Sequence, residues 1–130
     1  MTNKMTLFNY GQFILKALND SPYIAEHLGD RVIALKVPEG TAVPYIRFNK
    51  TGGWYDYNKD TCVSGNLEFE ILVVSKTFTE VEEIAEHVDE AMDANMKAGL
   101  SRARLVSSYA FYDDAENLYG SLLTYQMLTY

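Results

Sequence analysis

The sequence has little of what stabilises a small secreted protein or spans a membrane. Its 130 residues include one cysteine, Cys62, so no disulfide can form within the chain, which suits a reducing compartment. Residues 1–5 lack the apolar run of a signal peptide. No stretch approaches the roughly 20 apolar residues that a membrane span requires. We therefore expect a protein that is made and kept in a cytoplasm and binds no membrane.

Basic side chains are also scarce. The chain carries 11 Lys and Arg residues against 18 Asp and Glu residues, for a net charge of −7. Because nucleic-acid backbones and anionic membrane surfaces both attract Lys and Arg, this balance disfavours a free-standing binder of either. Net charge does not bear on the fold.

Motifs for catalysis and for metal or cofactor binding are missing too. The two histidines, His27 and His87, are far apart, and neither belongs to a HExxH or CxxC pattern. Cys62 has no local base that would activate a thiol nucleophile. The pair Gly52–Gly53 is not followed by the lysine of a phosphate-binding loop, so it predicts a turn. We expect no catalytic residue, no metal and no cofactor.

What the chain does contain is enough apolar sequence for one domain of residues 1–130. Apolar residues make up 48% of it, and a chain of this length buries roughly two thirds of its unfolded surface. Periodic apolar positions predict a helix over 7–18 and a longer one over 77–96. A capping box formed by Thr79 and Glu82 is expected to start the longer helix. Ser21 before Pro22 predicts a short helix that ends at Gly29.

Strands are predicted between and after these helices. Residue types and alternation indicate strands over 31–37, from Tyr45 to Phe48, over 67–74, within 104–113 and over 118–130. The segment 49–62 is typical of a long loop or of an extended hairpin tip. This order predicts an α+β fold, with a mostly antiparallel sheet of about five strands and two main helices packed on one face.

Two local features stand out as candidate surfaces. Trp54, Tyr55 and Tyr57 follow one another in the segment 49–62 and have three possible roles. They could fold back over the sheet, anchor a protein interface or stack against a sugar or base. The second feature is the long helix, which carries seven carboxylates and no Lys or Arg. It could be a solvated face, meet a basic partner or line an acidic channel. Its candidate acidic face consists of Glu82, Glu86, Asp89 and Asp93.

Several short motifs in a fixed order resemble those of phage tail-completion, or tail-terminator-like, proteins. The order begins with an "RV" strand, a loop and a "PY" that opens a second strand. A charged pair and a passage from strand to helix follow. These motifs are Asp30–Val32, Pro44–Phe48, Lys59–Asp60 and residues 75–85.

The resemblance implies a structural protein of a tailed phage or prophage and not an enzyme. Its relatives form rings, often hexamers, at the end of the tail tube where it meets the head connector. Expected partners are further copies of the chain, the tail-tube and head-connector proteins, and DNA only as it passes through the lumen. The protein would lie in the host cytoplasm during assembly and then in the tail or neck of the virion.

The resemblance also suggests roles for the two candidate surfaces. The segment 49–62 would reach a neighbouring subunit or the tail tube. The acidic face would line the lumen, where like charge lets DNA pass without binding. The alternative function is a small ligand-binding or protein-binding adaptor domain of bacterial origin. For the interface formed by the segment 49–62, the candidate residues are Trp54, Tyr55, Tyr57, Lys59 and Asp60.

Overall fold

The computed structural model describes residues 7–59, 61–97 and 103–129, which form three helices and five strands. None of the described helices combines the length and hydropathy that a membrane-spanning segment requires. In chain order the elements are α1 (Tyr10–Asn19), α2 (Pro22–Leu28), β1 (Val32–Ala34), β2 (Tyr45–Asn58), β3 (Thr61–Ser75), α3 (Phe78–Lys97), β4 (Arg104–Asp113) and β5 (Leu118–Thr129).

The five strands form one sheet in the order β1-β2-β3-β5-β4. Every neighbouring pair is antiparallel except β1 and β2, which run parallel. The helix α3 packs across β3 and β5, and α1 packs beside it, where Gly11 approaches the ring of Phe48. These features confirm the predicted α+β fold with a mostly antiparallel sheet and its main helices on one face.

The core lies between this helical layer and one face of the sheet. Alternate residues of β3 point towards the helices and are almost completely buried, as their spacing predicted. Facing residues of β2 and β5 join them, and Phe48, Phe69 and Tyr125 are the largest buried side chains. Burying one large apolar side chain stabilises a fold by about 1.5–3 kcal/mol, so this layer is what holds the sheet and helices together.

Both predicted helix starts are present, and one of them is displaced. The Ser21 hydroxyl accepts a bond from the Ile24 amide at 3.4 Å, with Pro22 as the first residue of α2. At α3 the cap is Thr77, whose hydroxyl accepts a bond from the Glu80 amide at 3.2 Å. The predicted pair of Thr79 and Glu82 was therefore wrong by two residues. The same Thr-x-x-Glu spacing occurs at both places, and the structure uses the earlier one.

Three strands differ in length from the prediction, among them β3, which begins at Thr61 and not at residue 67. β1 ends at Ala34 and not at residue 37, because Leu35 adopts a positive φ of 62° that no strand continues through. β2 continues to Asn58, so the segment 49–62 is an extended hairpin and not a loop. The pair Gly52–Gly53 lies inside this strand next to a register shift, and the predicted turn there was wrong.

Candidate interaction surfaces

The tip of the β2–β3 hairpin extends beyond the rest of the sheet. Residues 54–58 and 61–66 form this hairpin arm. At its base, Trp54 and Tyr55 pair with Asn66 and Gly65, which also pair with the end of β5. From Asp56 to the tip, the arm is a two-stranded ribbon among the residues that the structure describes. At about 3.3 Å per residue, residues 56–58 of β2 reach roughly 10 Å past the body.

The arm exposes the aromatic residues that the sequence singled out. Trp54 is 48% exposed, Tyr55 40% and Tyr57 65%, and the two tyrosine rings lie 6.4 Å apart. Each ring is therefore partly exposed, and the Trp54 ring lies next to Gly52 of the same strand. Lys59 is exposed at the tip with a φ of 47°, whereas the candidate Asp60 lies outside the described residues. The aromatic rings are thus available to a partner.

The candidate acidic face divides into two parts. Glu82 and Glu86 are exposed, whereas Asp89 and Asp93 are half-buried. Asp89 accepts a hydrogen bond from the Tyr125 hydroxyl at 3.0 Å, which joins α3 to β5. Burial, together with the nearby Asp89 carboxylate, raises the pKa of Tyr125 far above its usual value. Asp89 therefore has a structural role, and the solvent-facing charge is carried by Glu82, Glu86 and their exposed neighbours on α3.

Both histidines lie in the packing between α2 and α3. The Tyr23 ring is stacked between them, with centroids 3.9 Å from His27 and 3.7 Å from His87. His87 Nδ1 is 3.6 Å from a carboxylate oxygen of Glu90. Burial, and then the nearby Glu83 carboxylate, raise the pKa of Tyr23 above its usual value. Packing accounts for both histidines.

A metal or thiol site finds no further support in the geometry. Within 7–59, 61–97 and 103–129, no group of three or more His, Cys, Asp or Glu side chains could hold a metal ion. Cys62 is exposed in the arm opposite Tyr57, whereas both histidines belong to helices.

One candidate surface was missed by reasoning from the sequence. The strand β4 is exposed at every residue from Arg104 to Tyr112 and forms an edge of the sheet. Its segment 105–112 reads LVSSYAFY, which is apolar on both faces and contains no charge. Such a pattern is typical of a strand covered on both sides, and sheet order alone reveals it as an edge. Its exposed large apolar residues are Leu105, Val106, Tyr109, Phe111 and Tyr112.

Comparisons with known proteins extend over most of the chain. The model of a family described as "Tail completion protein gp17" matches residues 12–130. A search of curated proteins finds no match. Among solved structures, a chain of "Virion of native gene transfer agent (GTA) particle" aligns with a TM-score of 0.59 at 18% identity, covering 89% of this chain and 90% of that one. At this identity the likeness supports the fold alone.

Proposed function

Because the chain belongs to the tail completion protein gp17 family, we propose that it completes the tail of a tailed phage or prophage by forming a ring at the tail end. Membership makes it a structural tail completion protein and not an enzyme. The ring, possibly a hexamer, is the finer part of the proposal. The observation that carries it is the hairpin arm, an aromatic ribbon that extends past the body of the domain.

The arm has the properties of a contact between neighbours in a ring. A ring forms through head-to-tail contacts, in which one surface of a subunit meets a different surface of the next. A ribbon that protrudes from one side of the domain can reach such a neighbour, or the tail tube beneath it. Trp and Tyr dominate binding hot spots because each buries a large rigid area at low entropic cost. Trp54, Tyr55 and Tyr57 keep between 40% and 65% of their surface exposed in their own chain, and this area is available to a partner.

The acidic helix supports a second part of the same proposal. Between Phe78 and Met96, α3 carries seven carboxylates and no Lys or Arg. A ring that turns Glu82 and Glu86 towards its lumen would repel phosphates, so DNA could pass from the head connector to the tail tube without binding. A reconstruction of tail ends that places both side chains on the outer surface of the ring would contradict this orientation.

Changing Trp54→Ala and Tyr55→Ala together tests the role of the arm. In the phage or prophage that encodes the protein, we expect tails without a terminal ring in electron micrographs and a fall of at least about tenfold in infectious particles. Both side chains are partly exposed and lie outside the buried core, so the purified variant should remain folded, with an unfolding temperature lowered by no more than a few degrees.

Phe8→Ala is the matched control, because Phe8 is an aromatic residue that is 78% exposed outside the arm. It should leave rings and titre unchanged. Normal rings on tails that carry the double variant would show that the arm is not the subunit contact.

A further inference from the structure

The exposed edge strand β4 has few of the devices that normally protect a sheet edge, and its one bulge lies near its start, at Val106. It is ten residues long, and its segment 105–112 has no Lys, no Pro and no charge of either sign. At the opposite edge, β1 has three residues and ends where Leu35 turns the chain away. Long apolar edges pair readily with other strands, so β4 is the part of the sheet that requires a covering strand.

The register between β4 and β5 assigns each β4 side chain to a face of the sheet. Residues that pair across antiparallel strands share a face. On the face away from the helices lie Ser107, Tyr109 and Phe111, opposite outward-facing residues of β5. On the helical face lie Leu105 and Tyr112, opposite Tyr125 and Tyr119. Arg104 and Asp113 both pair with residues of the outward face, Gln126 and Leu118.

A shift of register at Val106 makes this arrangement unusual. Leu105 pairs with Tyr125 and Ser107 with Thr124, so Val106 is an extra residue without a partner on β5. As a result, the residues that face away from the helices are even-numbered before Val106 and odd-numbered after it. Arg104 and Asp113 therefore share a face, although one position is even-numbered and the other odd-numbered.

We propose that β4 pairs antiparallel with β4 of a second copy of this chain, about a two-fold axis at Tyr109. This centre places Tyr109 opposite Tyr109 of the second copy and Ser107 opposite its Phe111. Past the extra residue Val106, Leu105 meets Tyr112, and Arg104 meets Asp113. Every one of these pairs joins side chains of the same face, so the two sheets continue as one.

Charge and apolar complementarity support a second copy as the occupant. The proposed register pairs Arg104 with Asp113 of the other copy twice, once at each end of an uncharged strand. Within 7–59, 61–97 and 103–129, no ion pair involves Arg104. Asp113 uses Oδ1 to accept bonds from the Ala115 and Glu116 amides at 3.0 and 3.3 Å, which hold it at the end of β4. Opposite charges and aromatic–aliphatic pairs in register both stabilise neighbouring strands.

Because a two-fold axis relates its two halves, we assign this pair to the free protein, before its subunits assemble on a tail. A two-fold contact relates two copies by the same surface on each, whereas neighbours in a single ring meet through two different surfaces. The pair would cover the apolar edge in solution and open when subunits join a tail. It involves β4 and not the hairpin arm, so it stands or falls independently of the proposed ring.

Sedimentation velocity of the full chain tests the pair directly. Ten residues on each side make a small interface compared with the usual 20–30, so the measurement should extend to several hundred micromolar. We expect a monomer–dimer equilibrium for the unchanged chain. Tyr109→Lys places two like charges face to face and should weaken dimerisation at least about tenfold.

Phe8→Lys, at an exposed aromatic residue outside both β4 and the arm, is the control and should leave the equilibrium unchanged. A chain that stays monomeric throughout the concentration range overturns the proposal. So does a dimer that Tyr57→Lys disrupts and Tyr109→Lys does not, since the arm would then be its interface.

A charge exchange between two variants tests the register. Arg104→Glu alone sets two carboxylates against each other at both ends of the pair, and Asp113→Lys alone sets two cations against each other there. Each variant should dimerise at least about tenfold more weakly than the unchanged chain. An equimolar mixture of the two variants can form a mixed dimer that contains one copy of each variant. In the proposed register, one end of that dimer joins the introduced Glu to the introduced Lys, and the other joins the native Arg104 to the native Asp113.

The mixture should therefore recover dimerisation, as a mixed dimer. Thermal unfolding of each variant checks that the turn after β4 remains intact. No recovery on mixing, with both variants folded, would show that the register is wrong.

Cross-linking tests the position of the axis, in a Cys62→Ser background that removes the native thiol. Tyr109→Cys should form a disulfide-linked dimer under mild oxidation, because opposite residues of antiparallel strands have Cα atoms about 4.5–5.5 Å apart. Ser108→Cys is the control and should cross-link at least about tenfold less, since its opposite residue is Ala110 and not another copy of itself. Equal cross-linking at both positions would contradict an axis at Tyr109.

Discussion

The hairpin arm and the edge strand β4 both expose aromatic side chains, but the sheet supports them differently. From Asp56 to the tip of the arm, its two strands pair only with each other among the described residues, and the side chains of 56–58, 61 and 62 are exposed. β4 pairs along its length with β5, whose alternate residues are buried in the core. The arm therefore contributes reach, whereas β4 presents a backbone edge that the core holds in place. This difference is why we assign the arm to a contact with assembled neighbours and β4 to strand pairing.

The two regions should also differ in how much stability is lost when an aromatic side chain is replaced. Side chains of the arm can change without affecting the core, since Tyr57 is 65% exposed. The strand behind β4 cannot change so freely, because Tyr125 is 1% exposed and stacks on Phe69 with centroids 5.4 Å apart. We thus propose that stability and assembly depend on different aromatic residues of one sheet.

Truncating one aromatic residue in each region should give the largest contrast. Tyr125→Ala removes a buried ring and is expected to lower the free energy of unfolding by about 3–5 kcal/mol. Tyr57→Ala should change it by no more than about 0.5 kcal/mol. Urea unfolding monitored by circular dichroism measures both. A loss of several kcal/mol from Tyr57→Ala would mean that the arm is part of the cooperative core, and the comparison would fail.

A smaller effect is expected from the Tyr125 hydroxyl alone. Tyr125→Phe leaves the half-buried Asp89 without its donor and should cost about 1–2 kcal/mol at pH 7. The matched change Tyr57→Phe removes an exposed hydroxyl and should cost almost nothing. Equal costs at the two positions would show that the bond between Tyr125 and Asp89 does not stabilise the fold.

The same hydroxyl predicts a dependence of stability on pH. The pKa of Tyr125 is raised in the folded state, whereas an unfolded tyrosine ionises near pH 10. The folded state therefore keeps a proton that the unfolded state releases, so stability is complete below about pH 10 and falls as the pH rises above it. Thermal unfolding between pH 7 and 11 should show this fall, and Tyr125→Phe should make it shallower. An identical slope in the variant would contradict the assignment.

Much of the body could be predicted from local patterns. In α3, Val81, Ile84 and Val88 recur at helical spacing, and all three are completely buried. In β3 the alternate apolar residues form the buried face as expected. Such periodicity directly reflects which side of an element faces the core. The residues of the arm were also identified in advance, because clustered Trp and Tyr in a polar segment are unusual.

Features set by the sheet order could not be predicted in this way. The parallel pairing of β1 with β2 leaves no local pattern in either strand. The pair Gly52–Gly53 is typical of a turn, yet pairing with Leu67 and Glu68 on β3 keeps the chain extended through it. The segment 105–112 is typical of a buried strand, and its position at the edge depends on where β5 inserts.

Hydrogen exchange of the arm, measured in the free protein and on assembled tails, tests the central claim most directly. In the free protein, amides at 54–58 should exchange faster than those of β3 between Leu67 and Val73, because the arm has no core of its own. On tails, the account predicts at least about tenfold slower exchange at 54–58, as neighbouring subunits or the tail tube cover the arm. Exchange at 54–58 that is as fast on tails as in the free protein would contradict it.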